Sequence, residues 1–401
     1  MRRLPSLDIL RGFALCGILF ANAPAILHLS WTRNGSVDPM VRWLEFTVHG
    51  RFFPLFSVLF GVSFALMWRS ASVRARSPRI VMLRRILVLG VLGALHQLLQ
   101  PGEALLPYAI VALTLLLPAT FLPNRWAGPV TGLMGVILTA WAATGTEGLP
   151  AVPGLFLLGF AAGVTRVPQR LERIDAQMLL LGLVLLVPAV VGALILQSVH
   201  PGFGVAAGLV MALTYAGVVL MLLGNRAHGP AAKVLAALGR TALTNYLLAT
   251  VIVVAVRFFA PQLGLAPEAR TAWGLTLQLC VLILATQAAL SLWWLDHFAQ
   301  GPVEWLVRRL TWAGAAPAAA APVIATAQAD TAAPQVVAAA ASADGSAGIA
   351  AYGYTPAGPA ARRASTDIST VPDRSTPAVS CGSLTGRTGR GPVIGTDSGP
   401  R

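Results

Sequence analysis

Long apolar runs with few charges constrain this chain more than any other feature of its sequence. The stretch 177–199, for example, contains no charged residue, and about 20 apolar residues in a helix are enough to cross a membrane. Charged residues make up 11% of the whole chain, against about 25% in an ordinary soluble protein. The mean hydropathy is +0.71. These values exclude a soluble globular domain and predict an integral membrane protein.

The runs predict an all-α fold: a polytopic integral membrane helix bundle with about ten transmembrane helices. The first run follows Met1-Arg2-Arg3 as in a signal peptide, but Asp8 and Arg11 interrupt it and it continues to Leu29. We therefore interpret it as an uncleaved transmembrane helix. The predicted spans are 8–29, 50–68, 82–99, 104–122, 126–144, 151–165, 177–199, 203–223, 242–260 and 272–296.

Basic residues determine the orientation predicted for the bundle. The chain has 29 Lys and Arg against 15 Asp and Glu, a formal charge of +14. Cytoplasmic loops are enriched in Lys and Arg, and with the N-terminus inside most of these residues fall on inner segments. The pattern predicts that both ends lie in the cytoplasm (N-in/C-in). It also argues against nucleic-acid binding, which needs a solvated basic face. The outer segments hold Arg33, Arg42, Arg51, Arg257 and Arg270.

The composition divides the chain into two parts. Residues 1–312 form the predicted transmembrane helical domain, whereas 313–401 are rich in Ala, Pro, Ser, Thr and Gly. A segment with so few large apolar residues cannot bury enough surface to offset its ordering entropy. We expect 313–401 to be a disordered cytoplasmic tail.

Signatures of soluble enzymes are absent from the sequence. It contains no P-loop, no Gly-rich dinucleotide fingerprint, no HExxH and no GxSxG motif. Cys16, Cys280 and Cys381 have neither metal-site nor redox spacing. We therefore predict no metal site and no bound cofactor.

Polar residues within the apolar runs are the informative ones, because a bilayer makes them costly. In the first span, Asp8 and Arg11 are three residues apart and can pair on one helix face. Asn22 lies eleven residues beyond Arg11, only about 20° off the same face. Gly12 permits close helix approach there. The alternative is an interfacial Arg that reaches the headgroups and an Asn that joins two helices.

The third span has a similar arrangement. Arg84 and Arg85 lie at its inner end, and His96 follows Arg85 by eleven residues. Gln97, Gln100 and Glu103 crowd the outer rim. This crowding favours a functional role for His96, although a lone His in a helix is more often a hydrogen-bonded structural residue.

Two further histidines, His28 and His49, lie beside the predicted outer ends of the first and second spans. They are ordinary interfacial residues if Trp31 and Trp43 belong to an aromatic belt. Either can instead serve as a general base that faces the outside, because histidine titrates near neutral pH.

Two sequence blocks flank the last spans on the predicted inner side. One runs from Gly239 through Arg240 to Tyr246, and the other from Gly301 to Arg309. Basic groups at helix entrances can hold a phosphate-bearing ligand. Topological anchors and helix caps are an equally good interpretation.

Several blocks in order resemble the YeiB-like membrane family, known as domain of unknown function 418. The resemblance covers about residues 5–312. In one place the chain departs from the pattern: it has Gly102-Glu103-Ala104-Leu105 where the family often has Gly-Asp-Ile-Leu. The matching blocks are Leu7-Asp8-x-Leu10-Arg11-Gly12-Phe13-Ala14 ending at Asn22, Arg51-Phe52-Phe53-x-Leu55-Phe56-Ser57-x-Leu59-Phe60-Gly61, Arg84-Arg85 through Gly93 to His96, Ala242-Leu243-Thr244-Asn245-Tyr246 and Gly301-Pro302-x-Glu304-Trp305.

The opening Arg-Gly block of that family is similar to those of transmembrane acyltransferases, a remote likeness limited mainly to the first span and loop. Acyltransferase-3 proteins have a His where this chain has Asn22. The heparan-glucosaminide N-acetyltransferases have Asn there and a catalytic His in the following loop, which His28 resembles in context. The resemblance implies transfer of an acyl group from cytoplasmic acyl-CoA, as co-substrate, to an acceptor outside.

On this leading hypothesis, Arg11 together with Arg84, Arg85 or Arg240 binds the CoA phosphates. The candidate catalytic residues are His28, His49 and His96, with Asn22 as polar support. The expected location is the plasma membrane of a bacterium, and the expected partners are the bilayer and a small-molecule or envelope-glycan acceptor. Two alternatives stay open: a transporter or exporter for a small solute or lipid precursor, and a structural membrane protein without catalysis.

Overall fold

The described part of the molecule is almost entirely helical, as predicted. The computed structural model describes residues 4–33, 36–37, 39–145, 148–224, 229–265 and 271–315. Of the predicted tail, 313–401, all but the first three residues lie outside this part. The helices are α1 Pro5–Ile26, α2 Pro39–Thr47, α3 Phe52–Arg74, α4 Pro78–Gln97, α5 Leu105–Val111, α6 Leu117–Ala119, α7 Asn124–Ala142, α8 Val152–Val164, α9 Val167–Leu171, α10 Ala176–Val199, α11 Gly204–Val219, α12 Pro230–Arg240, α13 Ala242–Arg257, α14 Ala272–His297 and α15 Pro302–Trp312.

Short irregular elements complete the described architecture. Two strands of two residues each, β1 Thr32–Arg33 and β2 Ser36–Val37, pair antiparallel in the loop after α1. A π-helical turn at Ala112–Leu116 joins α5 to α6, and another at Leu220–Gly224 extends α11.

The number of membrane spans is lower by structural criteria than by apolar runs. Each of the ten predicted runs overlaps a helix, but five described segments are long and apolar enough to cross a membrane. The pair α12 and α13, bent by 81° at its break, brings the number to six if it counts as one span. Two other apolar segments, Leu105–Ala119 and Leu149–Val164, do not qualify because they are only 10–17 residues long. The five are Pro5–Ile26, Pro39–Arg74, Ala176–Val199, Gly204–Gly224 and Ala272–His297.

Prolines account for where several helices begin. A proline at the first helical position has the right φ and lacks an N–H that would have no partner there anyway. The residues in this position are Pro5 of α1, Pro78 of α4, Pro230 of α12 and Pro302 of α15.

Small residues permit a close helix crossing in the core, that of α3 with α8. A Cβ on Gly61 would lie 2.3 Å from the carbonyl oxygen of Phe156, and one on Gly159 would lie 2.1 Å from that of Val58. Backbone contact of this kind is typical of helix packing in membranes, where dispersion rather than water exclusion holds helices together. Phe156 and Phe160 extend from this crossing into the largest apolar cluster.

Helix α10 shows that the described fold needs an apolar solvent. Its one buried residue is Gln197, and large apolar side chains such as Leu185, Ile195 and Val199 are exposed. A helix that is apolar all round is stable only in a protein core or a bilayer. The apolar helices therefore identify a membrane protein.

Two ends of the bundle are distinguished by their polar side chains. The arginine end contains the N-termini of α1, α4 and α13 together with α15. Arg84 joins α4 to the end of α15, and Glu304 joins α15 to the start of α13. The histidine end contains the C-termini of α1 and α13, where His28 contacts Arg257.

Candidate functional site

An ion pair at the arginine end confirms the spacing argument for α1. The Arg11 guanidinium donates a hydrogen bond of 2.8 Å to Asp8 Oδ1 and one of 2.6 Å to Ser63 Oγ of α3. Asp8 is buried. The pair therefore lies at a helix–helix contact, where Arg11 links α1 to α3.

Two glycines bring α1 and α12 into backbone contact next to this pair. A Cβ on Gly12 would lie 1.9 Å from the carbonyl oxygen of Leu235, and one on Gly239 would lie 1.8 Å from that of Asp8. Neither position can hold a side chain without separating the helices. The crossing places Arg240 and the break after it beside the start of α1.

The other arginines predicted to bind CoA have different surroundings. Arg84 donates to the carbonyl oxygen of Ala313 at the end of α15, and Arg240 donates to that of Ala299 at 3.1 Å. Arg85 lies within electrostatic range of Arg11 and Glu304. Arg84 thus holds the end of α15 and Arg240 holds the turn before α15. Arg85 instead adds a second cation beside Arg11.

Glu304 joins the two sequence blocks at the last spans. Its Oε1 accepts hydrogen bonds from the backbone N–H groups of Leu243 at 2.7 Å and Thr244 at 3.1 Å, and its Oε2 accepts one from Thr244 Oγ1 at 2.6 Å. Thr244 Oγ1 in turn accepts from the N–H of Val303 at 3.1 Å. A carboxylate from α15 therefore occupies the N-terminus of α13. There it accepts hydrogen bonds from backbone N–H groups that have no partner within the helix, and its negative charge interacts favourably with the helix dipole.

A buried polar network follows the 81° break between α12 and α13. Thr241 Oγ1 and Ser291 Oγ of α14 are 2.9 Å apart, and Asn245 Nδ2 donates to both, at 2.9 and 3.0 Å. Gln287 Nε2 donates to the carbonyl oxygen of Asn245 at 2.8 Å. The Oε1 atom of Gln287 is buried without a hydrogen-bond partner.

His96 forms a buried pair with Glu103. Its Nδ1 lies 3.1 Å from Glu103 Oε2, and the two residues are 3% and 1% exposed. The carboxylate also accepts from the backbone N–H groups of Leu105 at 2.6 Å and Leu106 at 2.7 Å. Glu103 therefore sits at the N-terminus of α5 and holds the imidazole in one orientation.

The other imidazole nitrogen of His96 is available for chemistry. His96 Nε2 is buried and has no hydrogen-bond partner. The ring meets that of Tyr246 nearly edge-on, with centroids 5.1 Å apart. The Tyr246 hydroxyl is buried close to Glu103 without a well-formed hydrogen bond. A base whose Nε2 atom has no partner and a tyrosine hydroxyl close to Glu103 thus lie near each other inside the bundle.

A narrow crevice runs along α1 and is lined by Tyr246. Asn22 lines it from α1, Tyr246 and Thr250 from α13, and Gln287 from α14. Its volume is about 10 Å³, which is the space that one water molecule requires. Apolar side chains complete the lining: Leu15, Ile18, Leu19, Ile26 and Ala249. The structure therefore places Asn22 in a crevice that is also lined by Tyr246, whose ring packs against that of His96.

His28 and His49 lie at the histidine end and do not line the crevice. His28 has a φ of 57° and its Nε2 lies 2.8 Å from a guanidinium nitrogen of Arg257. Because the guanidinium can only donate, His28 Nε2 accepts this bond. The ring of His49 packs on that of Trp31, with centroids 5.0 Å apart, and its buried Nε2 has no hydrogen-bond partner.

Arg51 is a buried cation that sequence reasoning counted only as an outer charge. It is 2% exposed and donates to the carbonyl oxygen of His49 and to Oε1 of Gln197 on α10. Tyr246 and Gln287 were likewise missed as site residues. Both are polar side chains within an apolar run, which is the pattern that made Asn22 and His96 candidates.

Taken together, these features define a class: helical membrane proteins with a buried polar interior. The first of three relatives is a protein of Bacillus acidopullulyticus described as "Uncharacterized 39.9 kDa protein in amylase 3'region", which is 32% identical over 77% of this chain and 94% of its own length. YxaH of Bacillus subtilis is 26% identical over 77% of this chain and 94% of its own, and YeiB of Escherichia coli is 25% identical over 79% and 98%.

A family model described as "Protein of unknown function (DUF418)" matches residues 158–314. The chain belongs to the DUF418 family. No solved structure matches it.

Proposed function

We propose that this protein transfers an acyl group from cytoplasmic acyl-CoA to an acceptor on the far side of the membrane. The observation that carries the proposal is the buried His96–Glu103 pair, whose Nε2 atom has no partner. A histidine oriented by a carboxylate through one ring nitrogen can accept a proton at the other. The remote likeness of the opening Arg-Gly block to transmembrane acyltransferases is the second support.

The reaction proceeds by proton removal and attack on a thioester. His96 Nε2 takes the proton of an acceptor hydroxyl or amine, whose oxygen or nitrogen then attacks the thioester carbonyl. The carbon–sulfur bond breaks, and CoA leaves as a thiolate that takes the proton from the imidazolium. Asn22 and the Tyr246 hydroxyl supply hydrogen-bond donors for the oxyanion that forms on the carbonyl oxygen.

The crevice must widen for this reaction. A volume of about 10 Å³ admits one water but no acyl group. Side chains of α1 and α13 line it, so a small separation of these two helices opens a path along the face that carries Asn22. Water is the smallest acceptor, so thioester hydrolysis needs the least widening beyond the entry of the acyl group and is the first activity to measure.

The proposal includes a topology. We propose ten spans with both ends in the cytoplasm of a bacterium and the arginine end at the cytoplasmic face of the plasma membrane. Arg85 is then the best placed of the predicted CoA contacts, because no hydrogen bond joins its side chain to another residue in the described part of the chain. His28 and His49, at the histidine end, stay predicted alternatives for the base.

Hydrolysis of radiolabelled acetyl-CoA by the purified full-length protein in lipid nanodiscs tests the proposal. We expect release of labelled acetate above that of empty nanodiscs, and loss of this activity in His96→Gln. His200→Gln, a change at an exposed histidine outside the site, is the matched control. The proposal is refuted if acetyl-CoA is neither bound nor consumed, or if His96→Gln is as active as the control.

A transporter is the second candidate, and the break between α12 and α13 favours it. Discontinuous helices with polar side chains at the break form the substrate sites of many secondary transporters, and the Thr241–Asn245–Ser291 network lies at this one. Counterflow of a solute in proteoliposomes without CoA would support transport. Acetyl-CoA consumption that requires His96 would support the acyltransferase.

A further inference from the structure

An open pocket at the arginine end is separate from the His96–Glu103 pair and from the Thr241–Asn245–Ser291 network. It has a volume of about 570 Å³, within the range of small-molecule sites of about 300–1,000 Å³. Arg74 borders it from the end of α3, and residues of α15 and the turn before it form the remaining walls. We call it the arginine–tryptophan pocket, after Arg74, Arg308, Arg309, Trp305 and Trp312.

The charge of the pocket is one-sided. Three guanidinium groups line it, and its lining residues include no Asp or Glu. Within the described part of the chain, no carboxylate forms an ion pair with Arg74, Arg308 or Arg309. Glu304 of the same helix is not among the lining residues, and both its carboxylate oxygens accept hydrogen bonds at the start of α13. The pocket therefore offers cations to an anion from outside.

Aromatic surface lies next to these cations. The guanidinium carbon of Arg309 is 5.3 Å from the ring centre of Trp305, a cation–π arrangement that fixes the arginine side chain. Trp305 is 48% exposed, so part of its ring stays open to a ligand. A planar ligand ring can stack on this surface while its anionic part meets the guanidinium groups.

The pocket is formed before any ligand binds, since α15 is fixed along its length. Val307 is 2% exposed and packs with Leu89 and Leu105. The Glu304 cap holds the first turn on α13, and Arg84 holds the last turn through the carbonyl oxygen of Ala313. A guanidinium group that is held in place before binding loses less conformational entropy when the ligand binds. It can also donate two parallel hydrogen bonds to two oxygens of one phosphate.

We infer that the arginine–tryptophan pocket binds a phosphate-bearing ligand, with Arg308 and Arg309 on the phosphate oxygens and Trp305 against a ring or an apolar part. The phosphate can come from a soluble nucleotide or from an anionic lipid headgroup, since both present the same oxygens. The inference goes beyond the proposed function, because binding here requires no acyl transfer and none of these residues lies at His96.

The first arm of the test measures a soluble nucleotide. Adenosine 3′,5′-bisphosphate is titrated calorimetrically into the full-length protein in nanodiscs of phosphatidylcholine. We expect Arg308→Gln combined with Arg309→Gln to weaken binding by about tenfold or more, given the strength of charge-assisted hydrogen bonds. The matched control, Arg170→Gln combined with Arg173→Gln, removes the same charge from exposed positions outside the pocket.

The second arm measures a lipid. The protein is transferred to nanodiscs of phosphatidylcholine and phosphatidylglycerol, and the phosphatidylglycerol retained after delipidation is counted by native mass spectrometry. If the control double variant retains phosphatidylglycerol and the pocket double variant does not, the phosphate comes from the lipid headgroup. Nucleotide binding with the same dependence identifies the nucleotide. The inference is overturned if the pocket and control variants behave alike toward both ligands.

Discussion

The carboxylate of Glu304 makes a quantitative prediction about how the last two helices are held together. Replacement by alanine removes three hydrogen bonds to α13, two from backbone N–H groups and one from the Thr244 hydroxyl. Hydrogen bonds to a charged group contribute about 1.5–3 kcal/mol each, and an N-terminal cap about 1 kcal/mol. The site is partly exposed, so water replaces some of the loss. We expect Glu304→Ala to destabilise the protein by about 2–4 kcal/mol.

The effect is measured as the thermal midpoint of the detergent-solubilised protein, read by tryptophan fluorescence. A loss of 1 kcal/mol lowers the midpoint of a medium-sized domain by about 2–4 °C, so we expect a decrease of about 4–16 °C. Glu172→Ala is the matched control, because that exposed carboxylate accepts one hydrogen bond, from Ser6 Oγ at 3.1 Å. Equal midpoints for the two variants would refute the capping argument.

Gly301 sharpens the same test. A Cβ at this position would lie 2.1 Å from Glu304 Oε2 and 3.0 Å from Thr244 Oγ1, so Gly301→Ala should displace the carboxylate and lower the midpoint by a similar amount. Because both changes break one contact, their combination should cost much less than the sum of the two. Additive effects would show that Gly301 acts on something other than the cap.

Three further changes test the helix contact and the candidate site. Gly239→Ala should prevent α1 and α12 from meeting and reduce the yield of folded protein in size-exclusion chromatography, whereas Gly182→Ala, where a Cβ meets nothing within 4 Å, should not; equal yields would contradict the close contact. Glu103→Gln keeps an acceptor for α5 but weakens the orientation of His96. Acetyl-CoA hydrolysis should therefore fall by about tenfold or more, with little change in the thermal midpoint. Unchanged hydrolysis would show that the His96–Glu103 pair is not needed for the reaction. Tyr246→Phe removes a buried hydroxyl without a well-formed hydrogen bond and should leave the thermal midpoint unchanged or raise it. The same change should lower hydrolysis if the hydroxyl stabilises the oxyanion. A large drop in the midpoint would instead show that the hydroxyl makes a structural hydrogen bond.

Local features of the fold could be predicted from the sequence because they depend on spacing along one helix. The apolar runs located the helices, and the three-residue separation of Asp8 and Arg11 predicted a pair that does form. The number of spans was harder to predict, since α8, which coincides with one of the predicted runs, is a helix of only 13 residues. Ten spans therefore stay a prediction.

Contacts between distant segments could not be predicted in this way. Helical periodicity gives the face of a residue but not the neighbour of that face, so nothing in the sequence paired Glu304 with Thr244 or His96 with Tyr246. The block at Gly301 had two interpretations, a phosphate site and a helix cap. The structure fills the start of α13 with a carboxylate of the protein itself, and the open cations lie farther along α15.

The contact between Arg51 and Gln197 bears on how the protein assembles. α10 lies against α11, where a Cβ on Gly217 would come within 2.9 Å of Leu183, and its one buried residue accepts a hydrogen bond from Arg51. Lipid chains are as apolar as the rest of α10, so apolar packing gives this helix little preference for one depth or rotation. A buried cation, by contrast, requires its hydrogen-bonding partner. Arg51 thus selects the final register of α10 after both segments have been inserted, and a chain that lacked either side chain would insert normally and yet settle into several arrangements.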